Sequence, residues 1–216
     1  MRRAILVAIA LGAVLVGSAL AAQGDPQRKL TVADQARART VSLRLSDFGA
    51  GWRQGPPTKQ NESKPRCSTY NPDQSDLIET GTYDSPNFSR ADGTSVSSSS
   101  GVFRTAAMAK KGYARVVRPQ LPKCFAELFK KGIPKPSTAT IFFAGPLRFP
   151  SYGDRSNAYR IRTSVKTPSA TVPATIDVVV FNRGRIEVAM IFVAISQPLP
   201  AAFEQSLVAR LAARAR

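Results

Sequence analysis

Six residues carry the types that could grip a ligand. Ser98 and Ser100 lie in the run SVSSSS at residues 95–100, where hydroxyls recur with little bulk. Lys111 and Arg115 sit four apart in AAMAKKGYARVV, and Arg160 and Arg162 two apart in NAYRIRTSV. Small side chains on a strand let another layer, or a ligand, come close. A concavity over Ser98 and Ser100 would hold a small polar or lipidic molecule and orient it through the hydroxyls. The four basic groups, if near, would add a preference for anions. A solvated basic face is the plainer account of Lys111 and Arg115.

The same serines do not read as nucleophiles. The chain has no histidine, which removes Ser-His-Asp and Cys-His catalysis and every histidine metal site. It has no G-x-S-x-G, no S-x-x-K, no phosphate-binding G-x-x-x-x-G-K and no calcium loop. Its 14 acidic residues are scattered, with no pair placed for glycoside chemistry. No catalytic residue, metal or cofactor is expected, and the reading is of a protein that binds rather than transforms.

Address and charge narrow the partner. Arg2 and Arg3 precede an uncharged, largely apolar run from Ala4 to Ala22, and Ala19-Leu20-Ala21 fits an A-x-A cleavage rule. Residues 1–21 are expected to be a secretory signal, with an uncleaved anchor as the alternative; any membrane contact would run through this segment. The chain has 31 lysines and arginines against 14 acids; setting aside Arg2 and Arg3 leaves a surplus of 15. Such a surplus attracts anions. Export argues against nucleic acid as a partner and favours an anionic molecule of the envelope. A secreted or envelope-located monomer is expected, and a basic surface with no dedicated partner fits the charge equally well.

Two cysteines, Cys67 and Cys124, remain in the exported part. Outside the cytoplasm two cysteines usually form one disulfide, and the alternative is two buried thiols. There is no C-x-x-C, so neither a redox motif nor a zinc knuckle is indicated.

The elements that must position these residues follow from caps and periods. Thr31 with Asp34 resembles a capping box and opens a helix over about 32–41. Ser46-Asp47 begin a tight turn before Trp52, and residues 54–76 read as a loop. The serine run, at 94–103, is expected to be a strand rather than a linker, and Thr105 caps the next helix, which Pro119 stops. A second short helix carries Cys124, Phe125, Leu128 and Phe129 inward and ends at Gly132. Strands are expected at 138–145 and 157–165; in the latter Tyr159, Ile161, Thr163 and Val165 alternate with Arg160, Arg162 and Ser164. In VVVFNRGRIEVAMIFVA, residues 178–194, two runs apolar on both faces flank Asn182-Arg183-Gly184. That pattern predicts a hairpin with an exposed basic turn, in a sheet covered on both sides. A final helix opens at Pro200, with Phe203, Leu207 and Leu211 on one face.

The order of these pieces resembles the extracellular sensor domain of actinobacterial PknH-type Ser/Thr kinases and their secreted relatives. The residues that carry it are LSDFGAGW (45–52), TGTYDSPNF (80–88), SSSSGVFRTAAMA (97–109) with Cys124 beyond, and the hairpin at 178–194. The resemblance covers most of residues 30–215. It implies an α/β sandwich of the PsbP-like and LpqN-like kind, a single antiparallel sheet with helices packed on it, in one domain over 22–216. It further implies ligand sensing or binding outside the membrane. The kinase domain is absent, and one disulfide replaces the family's frequent two. No site residue transfers position by position. The competing reading is a cationic structural or surface-interaction protein that binds anionic envelope polymers or lipids.

Overall fold

A computed structural model of the chain describes residues 24–58, 67, 68 and 70–216. The expected signal at residues 1–21 lies outside them. Among the described residues no helix is long and apolar enough to cross a membrane.

Helix α1 (Val32–Val41) begins where the Thr31 hydroxyl accepts the Asp34 N–H at 3.1 Å. The other half of a capping box is missing: the Thr31 N–H donates to the Thr80 carbonyl at 2.8 Å, and the Asp34 carboxylate is engaged by Arg185. Three further helices follow: α2 (Ala106–Val116), capped by Thr105; α3 (Leu121–Gly132); and α4 (Ala201–Arg214). Among the described residues nine strands form one sheet. They are β1 (Gln27–Arg28), β2 (Arg53–Gln54), β3 (Ile78–Asp84), β4 (Phe88–Ser89), β5 (Ser95–Phe103), β6 (Thr138–Pro146), β7 (Arg155–Lys166), β8 (Thr171–Arg183) and β9 (Ile186–Ile195). The main path runs β1-β3-β5-β9-β8-β7-β6, and β4 joins β5 with β2 beyond it. Every pairing is antiparallel except β1 with β3, a departure from the all-antiparallel expectation.

Alternation divides the core into two layers. Ile176, Val178, Val180, Ile191 and Val193 face α2 and α3, packing with Tyr113, Val116, Phe125 and Phe129. Their neighbours Val179, Phe181, Val188, Met190 and Phe192 face α1 and α4, packing with Ala38, Val41, Leu207 and Leu211. The central strands are covered on both faces, as their two-sided apolar pattern requires.

The short and polar strands were the hard ones to foresee. β3 occupies a segment whose glycine and threonines give no clean period. Gly81 is needed there because a Cβ would lie 2.2 Å from the Asp34 carbonyl oxygen, so only glycine lets α1 settle on the sheet. The Gly-Trp corner is equally structural. Trp52 stacks on Phe203 of α4 with centroids 5.5 Å apart and an interplanar angle of 13°, and Arg214 closes the same corner with an ion pair to the buried Asp47.

Candidate functional site

The serine run forms β5, and the hydroxyls of Ser98 and Ser100 are spoken for. Val96 and Val102 belong to the α1/α4 layer, so Ser98 and Ser100 point there too. Ser98 Oγ accepts the Leu43 N–H at 3.0 Å. Ser100 Oγ donates to the Ala38 carbonyl at 2.8 Å and lies 3.0 Å from Ser42 Oγ. The two serines are 4% and 1% exposed. The close approach that small side chains permit is made by α1, and the space above them is filled by protein.

The basic candidates are likewise distributed rather than gathered. Lys111 and Arg115, on α2, lie on the other side of the sheet from Ser98 and Ser100. Both hold the Asp76 carboxylate, Lys111 at 2.6 Å, which removes the like-charge penalty between them. Arg160 faces α4, where its Nε and one terminal nitrogen donate to Asp177 at 2.7 and 2.5 Å. Arg162 lies over the ring of Phe143, 5.4 Å from its centroid. Neighbouring Phe142 is 68% exposed on the edge strand.

A different cavity has the make-up of a ligand site. About 550 Å³ in volume, it opens between the end of α2, the α2–α3 corner, the end of β6 and the start of β7. Its apolar wall comes from Ala114, Val117, Pro119, Pro122, Ala144 and Pro146. Its polar groups are Tyr113, Tyr159, Asn157, Arg118 and Arg155, and no carboxylate lines it. An apolar cleft with a few convergent polar groups, of this size, suits a small molecule.

The polar groups are held unequally. Tyr113 donates its phenol proton to Asn157 Oδ1 at 2.8 Å, which fixes both side chains and leaves the phenol oxygen free to accept. Tyr159 is 5% exposed and pairs beside Pro146, yet its hydroxyl has no partner among the described residues. Burial pushes the phenols of Tyr113 and Tyr159 above their ordinary range, so both stay protonated donors at neutral pH. Arg118 and Arg155 form no ion pair with any described carboxylate. The cavity therefore presents two guanidinium groups and an unused hydroxyl against an apolar wall.

The disulfide braces this corner. Cys67 and Cys124 are joined, with Cα atoms 5.4 Å apart. Beyond Cys67, the Ser68 N–H and hydroxyl donate to Glu127 of α3 at 2.9 Å each. The Tyr70 hydroxyl lies 2.6 Å from the last carbonyls of α2, those of Arg115 and Val116. The bridge thus ties one short segment to the ends of both helices that make the cavity's wall.

Fold comparison places this geometry. The extracellular domain of PknH from Mycobacterium tuberculosis, a crystal structure, superposes with a TM-score of 0.51 over 84% of this chain and 95% of that one, at 12% identity. The fold is similar to that of the PknH extracellular domain. At that identity the likeness carries architecture and no residue roles. No family model and no curated protein matches the sequence.

Tyr113 and Tyr159 were legible only as core positions of an amphipathic helix and an alternating strand. The available signal was that both are tyrosine, with Asn157 one inward step before Tyr159. A phenol at a core position needs a polar partner, and only one of the two has one.

Proposed function

We propose that this protein is a non-enzymatic ligand-binding domain of the sensor type, acting outside the cytoplasmic membrane. Its ligand is a small molecule with an apolar body and an anionic head, taken into the α2–β7 cavity. The observation that carries the reading is the pairing of an apolar wall with Arg118, Arg155 and the unpartnered Tyr159 hydroxyl. An anionic head would take charge-assisted hydrogen bonds from the guanidinium groups, which are about twice as strong as neutral ones. The Cys67–Cys124 bridge fits an oxidising compartment, and the fold shared with an extracellular domain agrees with it.

The competing reading, adhesion to anionic envelope polymers through charge alone, draws on the 31 lysines and arginines. Several of these cations are already matched, among them Lys111, Arg115, Arg160, Arg185 and Arg214, which weakens a diffuse account. Calorimetric titration with decanoate and with uncharged decanol separates the two. The proposal expects decanoate to bind more tightly than decanol, and Arg118→Gln and Tyr159→Phe each to lower decanoate affinity. Decanoate affinity unchanged by those substitutions, as charge alone predicts, would refute it, and so would equal binding of both probes.

A further inference from the structure

The basic hairpin tip is built into a second cavity, on the opposite layer from the first. Arg183, Gly184 and Arg185 line a hollow of about 430 Å³ together with Asp34 and Arg37 of α1 and Arg216. Four guanidinium groups line it beside the Asp34 carboxylate, and Asp154 accepts the Gly184 N–H at 2.7 Å from next to the turn, so positive groups outnumber these two carboxylates.

Two of the guanidinium groups are held in place, Arg183 by a neutral carbonyl and Arg185 by two neutral oxygens together with the Asp34 carboxylate. Arg183 donates one N–H to the Ala212 carbonyl at 3.1 Å. Arg185 donates Nε–H to the Phe103 carbonyl at 2.7 Å, while a terminal nitrogen reaches Asp34 at 2.6 Å and Thr80 Oγ1 at 3.2 Å. A guanidinium has five N–H donors, so Arg183 keeps four and Arg185 keeps several. Arg37 reaches the main-chain oxygen of Arg216, a contact that uses one of its donors. Over Gly184, at φ +54°, a Cβ would meet nothing within 4 Å, so the turn leaves open space beside these groups. Fixed, incompletely used forks around an open hollow suit a tetrahedral oxyanion, which guanidinium groups bind bidentately.

We propose that this hollow, framed by Arg37, Arg183 and Arg185, binds a phosphate monoester or diphosphate group of a small ligand. The site is independent of the α2–β7 cavity, and it stands or falls without it. Arg185 is set by its bonds to α1 and β5; Arg37 and Arg183 supply the remaining donors.

The test is calorimetric titration of the protein with inorganic pyrophosphate and with glucose 6-phosphate, in 0.1 and 0.5 M salt. Arg183→Gln and Arg37→Gln are each expected to weaken pyrophosphate about tenfold or more, the scale of one lost hydrogen bond to a charged group. Arg183→Lys should recover part of the loss, and Arg53→Gln, on β2, should change nothing. Part of the affinity should survive 0.5 M salt. Thermal unfolding of each variant shows which remain folded, and the Arg183 pair decides the matter if Arg37→Gln does not. No pyrophosphate binding at millimolar concentration, equal losses from Arg53→Gln, or complete loss of binding in 0.5 M salt would overturn the proposal.

Discussion

The hydroxyl of Ser98 accepts the backbone N–H of Leu43 at 3.0 Å, where the chain leaves α1. That bond makes the serine strand a seat for a helix. Ser98→Ala is expected to cost about 1–2 kcal/mol by stranding a buried N–H. Ser98→Leu should cost more, about 2–5 kcal/mol, because it adds overpacking under α1 to the stranded donor. Urea unfolding checks both. A Ser98→Leu protein as stable as the parent would mean that α1 does not lie where it is described.

The hairpin tip is a turn, as its sequence indicates, with Gly184 at φ +54°, but its arginines are not idle. Exposed turn substitutions usually move stability by less than about 0.5 kcal/mol, and that is the expectation a free tip would carry. Arg185 instead ties the hairpin to β5, β3 and α1 through three hydrogen-bonded partners. Arg185→Ala is therefore expected to cost about 1–2 kcal/mol, and Arg183→Ala less, since one bond is lost. Gly184→Val should also destabilise, because a β-branched residue is strained at positive φ. Denaturant midpoints of the three variants test the ranking.

These cases show what was legible. The two-sided apolar runs of β8 and β9 fixed a doubly covered sheet, and the caps at Thr31 and Thr105 marked two helix starts. β5 was legible as a strand despite its serines, because Val96 and Val102 anchor it. What filled the space above Ser98 was not legible, since small side chains admit a helix as readily as a ligand. Nor was the pairing of Lys111 and Arg115, because their partner Asp76 comes from a segment with no period of its own. The α2–β7 cavity was hidden for a related reason. Its polar groups are contributed by positions that alternation assigns to the core.

Stability should fall as pH rises through the neutral range. Burial first, and the neighbouring Asp177 carboxylate second, push Glu204 up to about 9. Burial and Glu79 push Glu187 up to about 8. Both folded-state values exceed the ordinary value of 4.5, so between pH 4.5 and 8–9 the folded chain binds more protons than the unfolded one. Their contribution is then fully favourable below about pH 4.5 and declines as pH rises toward the folded values. The slope is at most about 1.4 kcal/mol per pH unit for each group. Glu204→Gln keeps a donor for Asp177 and carries no titrating proton. It should flatten the decline, so that its stability relative to the parent is greater at pH 8.5 than at pH 5.5. A parent whose stability rises from pH 5.5 to 8.5, with Glu204→Gln following it, would contradict this assignment.

The central claim is that a ligand with an anionic head enters between α2, α3, β6 and β7. Amide chemical-shift mapping of the nitrogen-15-labelled protein during titration with decanoate tests it most directly. In 0.5 M salt the Debye length is only about 4 Å, so diffuse attraction is largely screened. Under those conditions the account predicts saturable shifts confined to the cavity's borders at residues 113–119, 144–146 and 155–159, and their loss in Arg118→Gln. Shifts scattered over the basic surface, or vanishing between 0.1 and 0.5 M salt, would contradict it.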